Sequence, residues 1–72
     1  MKECYVKGPY IKLNQWLKKE GLAYTGGEAG MMVEQGLVTL NGQKVTEIRK
    51  KLHDGDEVSV NGAEPYRILV KE

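Results

Sequence analysis

The chain has 72 residues, a net charge of +1 and one cysteine, with 29% charged and 40% hydrophobic residues. This length predicts a single domain over residues 1–72 with a small core and only a shallow pocket. Cys4 has no partner for an internal disulfide or a thiolate zinc site, and long apolar runs are absent. We therefore expect a cytoplasmic protein without a membrane span or signal peptide.

The charges are unevenly distributed along the chain. Residues 1–20 and 43–53 are basic, whereas residues 21–42 and 54–72 are acidic. Charged side chains most often only solvate a surface. If the fold brings the two basic segments together, however, a nearly neutral protein gains a local positive face.

The N-terminal elements are a strand and a short helix. Residues 1–6 alternate weakly and predict an edge strand, which Gly8-Pro9 ends. Ile11, Leu13, Trp16 and Leu17 then follow a helical period, with Asn14 as a possible N-cap and Gly21 as the stop. The spacing of Trp16 predicts a core residue rather than a base-stacking one.

A second helix is predicted to begin at Thr25, because Thr25 and Glu28 have the spacing of a capping box. Gly36 is placed to end it. Gly26 and Gly27 weaken its first turn, which needs an explanation. Either they allow close packing by a neighbouring element, or they expose N–H groups to a phosphate. Glu28 occupies the same positive helix end, so we favour close packing.

The rest of the chain predicts short strands. Asn41-Gly42 is a hairpin turn between Val38–Leu40 and Val45. Residues 47–51 read as a loop or irregular strand anchored by Leu52, and Asp54-Gly55-Asp56 as a turn. Further strands are expected around Val58 and over residues 66–70.

The sequence contains no pattern that predicts an enzyme. His53 has no nucleophile at a recognisable spacing. The acidic residues of segment 54–57 lack the calcium-loop pattern, and no phosphate-binding or dinucleotide glycine motif is present. We expect no catalytic residues, no metal and no cofactor.

Several motifs in residues 11–60 together resemble the S-four (S4) RNA-binding domain family, named for a ribosomal protein of the small subunit. The likeness lies in Lys12-Leu13-Asn14, Trp16-Leu17, Gly21-Leu22-Ala23, residues 25–29, Gly36-Leu37-Val38, Leu40-Asn41-Gly42 and Asp54-Gly55-Asp56. The Thr-Gly-Gly-Glu-Ala run and the short length look most like small stand-alone bacterial members.

The resemblance implies an α+β fold, with two short packed helices followed by a small, bent antiparallel sheet and with added N- and C-terminal strands. It also implies a non-catalytic module that binds structured RNA through the helical pair and the adjoining loop. Family members serve in ribosomal proteins, pseudouridine synthases, a heat-shock ribosome-rescue factor and some tRNA synthetases. The implied partners are ribosomal or transfer RNA and the ribosome.

The resemblance also assigns individual positions. Lys12 matches a usual arginine at the head of the first helix, and Thr25 a usual serine at the cap. Gly26 and Thr39 stand where basic residues are common, so the expected surface loses charge there. The basic run Lys50-Lys51 matches that of the small members. The complete predicted RNA-binding set is Lys12, Lys18, Lys19, Thr25, Gly26, Gly27, Lys44, Arg49, Lys50 and Lys51.

Recognition of A-form RNA depends mostly on phosphates and 2′-hydroxyls, so these cations suit backbone contacts with weak sequence preference. Two alternatives stay open. The same fold could bind a protein instead of RNA. A β-grasp sulfur carrier is disfavoured, because the chain ends Val70-Lys71-Glu72 rather than in Gly-Gly. The small size and lack of a heptad favour a monomer.

Overall fold

The computed structural model describes residues 1–71, and Glu72 lies outside the described residues. Residues 1–71 form two helices and seven short strands. In order, these are β1 (Lys2–Lys7), β2 (Ile11–Lys12), α1 (Leu13–Lys19), α2 (Gly26–Glu34), β3 (Val38–Leu40), β4 (Gln43–Lys44), β5 (Lys51–Leu52), β6 (Glu57–Val60) and β7 (Tyr66–Lys71). The predicted α+β class is confirmed, with both helices before the β3–β4 hairpin.

The strands form two sheets. The larger has five strands in the order β1-β7-β6-β3-β4, and the smaller pairs β2 with β5. All pairings are antiparallel except that of β1 with β7, which is parallel. The N-terminal segment is therefore an edge strand, as predicted. Its parallel pairing with β7 makes the larger sheet mixed.

The core lies between α1, α2 and the larger sheet. Leu13, Trp16 and Leu17 of α1 are fully buried, and Ala29 and Val33 of α2 pack into the same cluster. Trp16 meets the ring of Tyr66 edge-on, with centroids 5.1 Å apart. The prediction that Trp16 is a core residue is confirmed.

Helix α1 begins differently from the prediction. Its N-cap is Lys12, without a side-chain capping bond, so the assignment of Asn14 as N-cap is wrong. Ile11 and Lys12, which the helical period included, belong to β2 and pair with Leu52 and Lys51. The amides of Leu13 and Asn14 donate instead to the carbonyls of Lys50 and Ile48, at 2.8 and 3.0 Å. A long-range pairing thus replaces a local cap.

Helix α2 begins at its predicted cap. Thr25 Oγ1 accepts from the Glu28 amide at 3.1 Å, but no reciprocal bond from Thr25 to the Glu28 carboxylate occurs within residues 1–71. Gly36, with φ +71°, follows the C-cap Gln35, as expected.

The preferred explanation for Gly26 and Gly27 is wrong. A Cβ added at Gly26 would meet nothing within 4 Å, and one at Gly27 only Thr25 Oγ1 at 3.8 Å. Close packing occurs instead at Gly30, where an added Cβ would lie 3.3 Å from Ile48 Cδ1. The first turn of α2 is therefore open, and the backbone of its first two residues is accessible.

The turns of the sheet follow the sequence signals. Asn41 and Gly42, with φ 52° and 86°, form a two-residue loop in which Leu40 pairs with Gln43. Positive φ at both positions is the requirement that the Asn-Gly pair meets. Val45 and Leu52 are buried, as predicted for the segments after this turn.

Candidate nucleic-acid interface

Pairing of β2 with β5 brings the two basic segments together. Lys12 lies directly opposite Lys51 in this pair. The bond from the Leu13 amide to the Lys50 carbonyl extends the contact to the next residue. Like charges facing each other across a strand pair destabilise it. The fold therefore concentrates positive charge at the start of α1 rather than dispersing it.

Beside this strand pair is an open groove of about 480 Å³, which we call the basic groove. Its lining includes the cations Arg49, Lys50 and Lys51, together with His53. A second hollow of about 160 Å³ adjoins it and shares Leu40, Glu47 and Lys50 with it. Lys44 lines this second hollow, so it extends the positive surface to the β3–β4 hairpin.

The cations of this surface form no ion pair with an acid in the described part of the chain. Over residues 1–71, no ion pair includes Lys12, Lys44, Arg49, Lys50 or Lys51. Lys44 Nζ would be 3.3 Å from a Cβ added at Gly36, so its stem lies along the end of α2. An ammonium group is favourable near the negative end of a helix.

Hydrogen bonds accepted by Asp54 and Asp56 fix the wall of the basic groove. Asp56 Oδ1 accepts from Asn41 Nδ2 at 3.1 Å, and Asp56 Oδ2 accepts from the His53 amide at 2.7 Å. Asp54 Oδ1 accepts from the Val70 amide at 2.8 Å. Asp56 thus has the predicted turn-forming role through its bond to the His53 amide. The bonds to Asn41 and Val70 are long-range and tie the groove to the larger sheet.

Tyr10 is an aromatic component that the sequence reading did not include. Lys51 Nζ lies 4.9 Å from the centroid of its ring, and the His53 ring lies 5.9 Å away. The cation–π contact holds Lys51 near the groove. Tyr10 precedes the helical period and Asn41 was assigned to a turn, so neither carried a local signal for this site. The sequence places His53 at the end of a basic segment and gives it no catalytic partner, but it does not indicate the contact with Tyr10.

Lys18 and Lys19 are separated from the basic groove along α1. They occupy the last turn of this helix, whereas Lys12 precedes its first residue, roughly 10 Å away along the axis. Lys19 Nζ donates to the Tyr5 carbonyl at 3.2 Å, on the edge strand β1. The structure thus brings five predicted cations together and leaves these two at the other end of the helix.

The predicted residues Thr25, Gly26 and Gly27 form the exposed start of α2. No hydrogen bond in residues 1–71 uses the amides of Gly26 or Gly27. The surrounding surface is acidic, since residues 20–43 include Glu20, Glu28 and Glu34 but no lysine, arginine or histidine. Helix α2 thus lacks the positive side chains that line the basic groove. Thr39, the other position without the expected basic residue, is half-buried in β3 opposite Lys44.

The described part of the chain contains no cluster of three or more metal-ligating side chains. No helix in residues 1–71 is long and apolar enough to cross a membrane.

Comparison with known proteins identifies the family. The family model described as S4 domain matches residues 4–69, nearly the whole chain. No curated protein matches the sequence. S4 domains are in general non-catalytic RNA-binding modules, which supports a role in RNA binding. The chain belongs to the S4 domain family.

Proposed function

We propose that this protein binds the phosphate backbone of structured RNA, without catalysing a reaction, through Lys12, Lys44, Arg49, Lys50 and Lys51. The observation that carries the proposal is the Lys12–Lys51 pair at the edge of the basic groove. A like-charge pair in which neither lysine forms an ion pair within residues 1–71 is unfavourable in the free protein. It becomes favourable when phosphates lie against it, because Coulomb repulsion is replaced by attraction.

The geometry suits a duplex or hairpin more than a small ligand. The groove is wide open. Lys51 lies on the β2–β5 pair, and hydrogen bonds fix the neighbouring turn at residues 54–56 to the larger sheet. An A-form helix offers phosphates and 2′-hydroxyls along a shallow surface. Ribosomal RNA is our preferred partner, with transfer RNA next, because ribosomal proteins and synthetases are the settings that the family resemblance implies.

The salt dependence of binding tests this proposal. We expect the affinity for a fluorescent ribosomal RNA hairpin, measured by anisotropy, to fall with salt. About four phosphate contacts predict a log–log slope of roughly −3 to −4. Lys12→Ala is expected to reduce the magnitude of this slope by about one unit. A slope near zero, or no binding to the hairpin, transfer RNA or a simple duplex at low salt, would contradict the proposal.

The predicted RNA-binding residues outside the basic groove, such as Lys18 and Gly26, need a separate test of their contribution to binding. Lys18→Ala is expected to change the slope less than Lys12→Ala, because Lys18 lies at the far end of α1. If Lys18→Ala and Gly26→Ala weaken binding as strongly as Lys12→Ala, the interface extends along both helices. That result would contradict the restriction to the basic groove.

A second function, binding of a protein partner, is favoured by the exposed face of α2. Met31 on α2 is 57% exposed, Tyr24 just before the helix is 85% exposed, and Glu28 and Glu34 give α2 a negative charge. A photo-crosslinking residue at position 31 tests this, with position 50 as the matched control. Protein adducts at position 31 and RNA adducts at position 50 would support both surfaces. RNA adducts alone at both positions would reject the protein site.

A further inference from the structure

The basic groove contains a carboxylate that backbone binding alone does not explain. Glu47 lines it together with Arg49, Lys50 and Lys51. The Glu47 side chain forms no hydrogen bond or ion pair with any residue of segment 1–71, although its carbonyl accepts from the Lys50 amide at 3.3 Å. By contrast, Asp56 uses both carboxylate oxygens within the protein.

A free carboxylate among phosphate-binding cations weakens the binding of phosphate, because the two anions repel each other. The same group is a good acceptor for the amino group of a nucleobase, and carboxylates recognise the N4 amino group of cytosine in this way. The groove therefore combines groups suited to a backbone with one suited to a base edge.

The other walls of the groove fit the faces of a base. Leu40 contributes an apolar side chain, and the His53 ring is 61% exposed at the rim. Histidine is among the side chains on which unpaired RNA bases stack. The groove volume of about 480 Å³ is in the range of small-molecule sites. In A-form RNA the amino group of a paired cytosine lies in the deep, narrow major groove that side chains cannot read, so the occupant must be unpaired.

We propose that the basic groove holds one unpaired nucleobase bearing an exocyclic amino group, with cytosine as the preferred base. Glu47 accepts from the amino group, His53 stacks on the base, and Arg49 and Lys50 hold the flanking phosphates. This inference rests on the proposed RNA-binding function and gives it a preferred target, a bulge or loop in structured RNA.

The test compares three RNA hairpins that differ at one position: a bulged cytidine, a bulged uridine and no bulge. Uracil has the size of cytosine but presents a carbonyl oxygen where cytosine has its amino group. We expect the wild-type protein to bind the cytidine bulge about fivefold more tightly than the other two. Glu47→Gln should reduce the cytidine-to-uridine ratio below about twofold, since the amide accepts a hydrogen bond without a charge.

Glu34→Gln on α2 is the matched control, because it removes the same charge outside the groove. It is expected to raise the affinity for all three hairpins slightly and to leave the ratio unchanged. Equal binding of the three hairpins by wild type, or an unchanged ratio in Glu47→Gln, would overturn the base site while backbone binding stands. Failure to bind any hairpin would overturn the proposed function and this inference together.

Discussion

At the scale of single residues, the glycines of this small domain have different physical roles. Gly21, Gly26 and Gly30 all lie in or beside a helix. An added Cβ would meet nothing at Gly21 or Gly26, but would press on Ile48 at Gly30. Only Gly21 has a positive φ, of 73°. The sequence identifies Gly21 as a helix stop, but it does not distinguish a glycine that is required by packing from one that is not.

Replacing Gly26 with alanine is expected to stabilise the protein. The site has open space and ordinary backbone angles, so the main effect is reduced freedom of the unfolded chain, worth about 0.4–1 kcal/mol. Gly21→Ala is the matched control. It has equal space, but its φ of +73° is expected to cost about 1–2 kcal/mol. Urea unfolding measures both variants, and a destabilising Gly26→Ala would contradict the interpretation of an open turn.

Cys4 connects the edge strand to the α1 region through two hydrogen bonds, one buried and one partly buried. Trp16 Nε1 donates to Cys4 Sγ at 3.3 Å, and Cys4 Sγ donates to Glu20 Oε2 at 3.2 Å. Burial raises the pKa of the Cys4 thiol above its ordinary value of 9.0. The Trp16 hydrogen bond opposes this rise, and the Glu20 carboxylate adds to it.

The raised pKa of Cys4 predicts a loss of stability in alkali. The folded state holds the thiol proton more tightly than the unfolded state, so the unfolded state binds fewer protons once pH exceeds 9.0. This contribution is complete below that pH and is lost as pH rises through the folded-state pKa. We expect the stability difference between wild type and Cys4→Ala to stay constant below pH 9.0 and to shrink as the pH rises above it. A difference that is constant with pH in urea unfolding would contradict this.

At the scale of elements, residues within a few positions predict the turns and the cap of α2. The start of α1 depends instead on a long-range strand pairing. The Asn41-Gly42 hairpin, the Thr25 cap and the Gly36 stop depend on residues within a few positions, and all three are present. The start of α1 depends on β5, which is distant in sequence. A helical period cannot report such a partner, so Ile11 and Lys12 were assigned to the wrong element.

The candidate site likewise combines features that the sequence shows with features that depend on the fold. The basic residues themselves were visible in the sequence, and so was their grouping into two segments. Their assembly into one surface depends on the β2–β5 pair, and the place of Glu47 among them depends on the shape of the loop before β5. The separation of Lys18 and Lys19 from the groove likewise follows from the length of α1.

From the β2–β5 pair we predict that Lys12→Glu raises the stability of the fold and lowers its affinity for RNA. Lys12→Glu would place a carboxylate opposite Lys51 and beside the positive start of α1. An attractive pair and a favourable helix-end charge are together expected to stabilise the fold by about 0.5–1 kcal/mol. RNA affinity is expected to fall several-fold, because a phosphate contact is lost.

Thermal unfolding and RNA titration of the same Lys12→Glu preparation test the expected gain in stability and the expected loss of RNA affinity. Lys2→Glu on β1 is the control, since Lys2 lies opposite Tyr66 rather than a cation. Loss of both stability and binding in Lys12→Glu would indicate that the Lys12 side chain matters for packing, and would contradict a strained charge pair.

At the scale of the whole molecule, a net charge of +1 conceals a separation of charge. The basic groove and Lys44 lie at the β4 end of the sheet, whereas α2 provides an acidic face. Strand β1 is at the opposite edge of the five-stranded sheet, roughly 19 Å from β4 at the usual strand spacing. Binding through one end of the molecule is therefore distinguishable from attraction by total charge.

The most direct measurement compares two double charge reversals in anisotropy titrations with the same ribosomal RNA hairpin at low salt. Lys50→Glu/Lys51→Glu changes the basic groove, and Lys2→Glu/Lys7→Glu makes the same change in net charge on β1. We predict a loss of affinity of about tenfold or more for the groove variant and of less than about threefold for the β1 variant. Equal losses, or unchanged binding in a folded groove variant, would contradict the assignment of RNA binding to the basic groove.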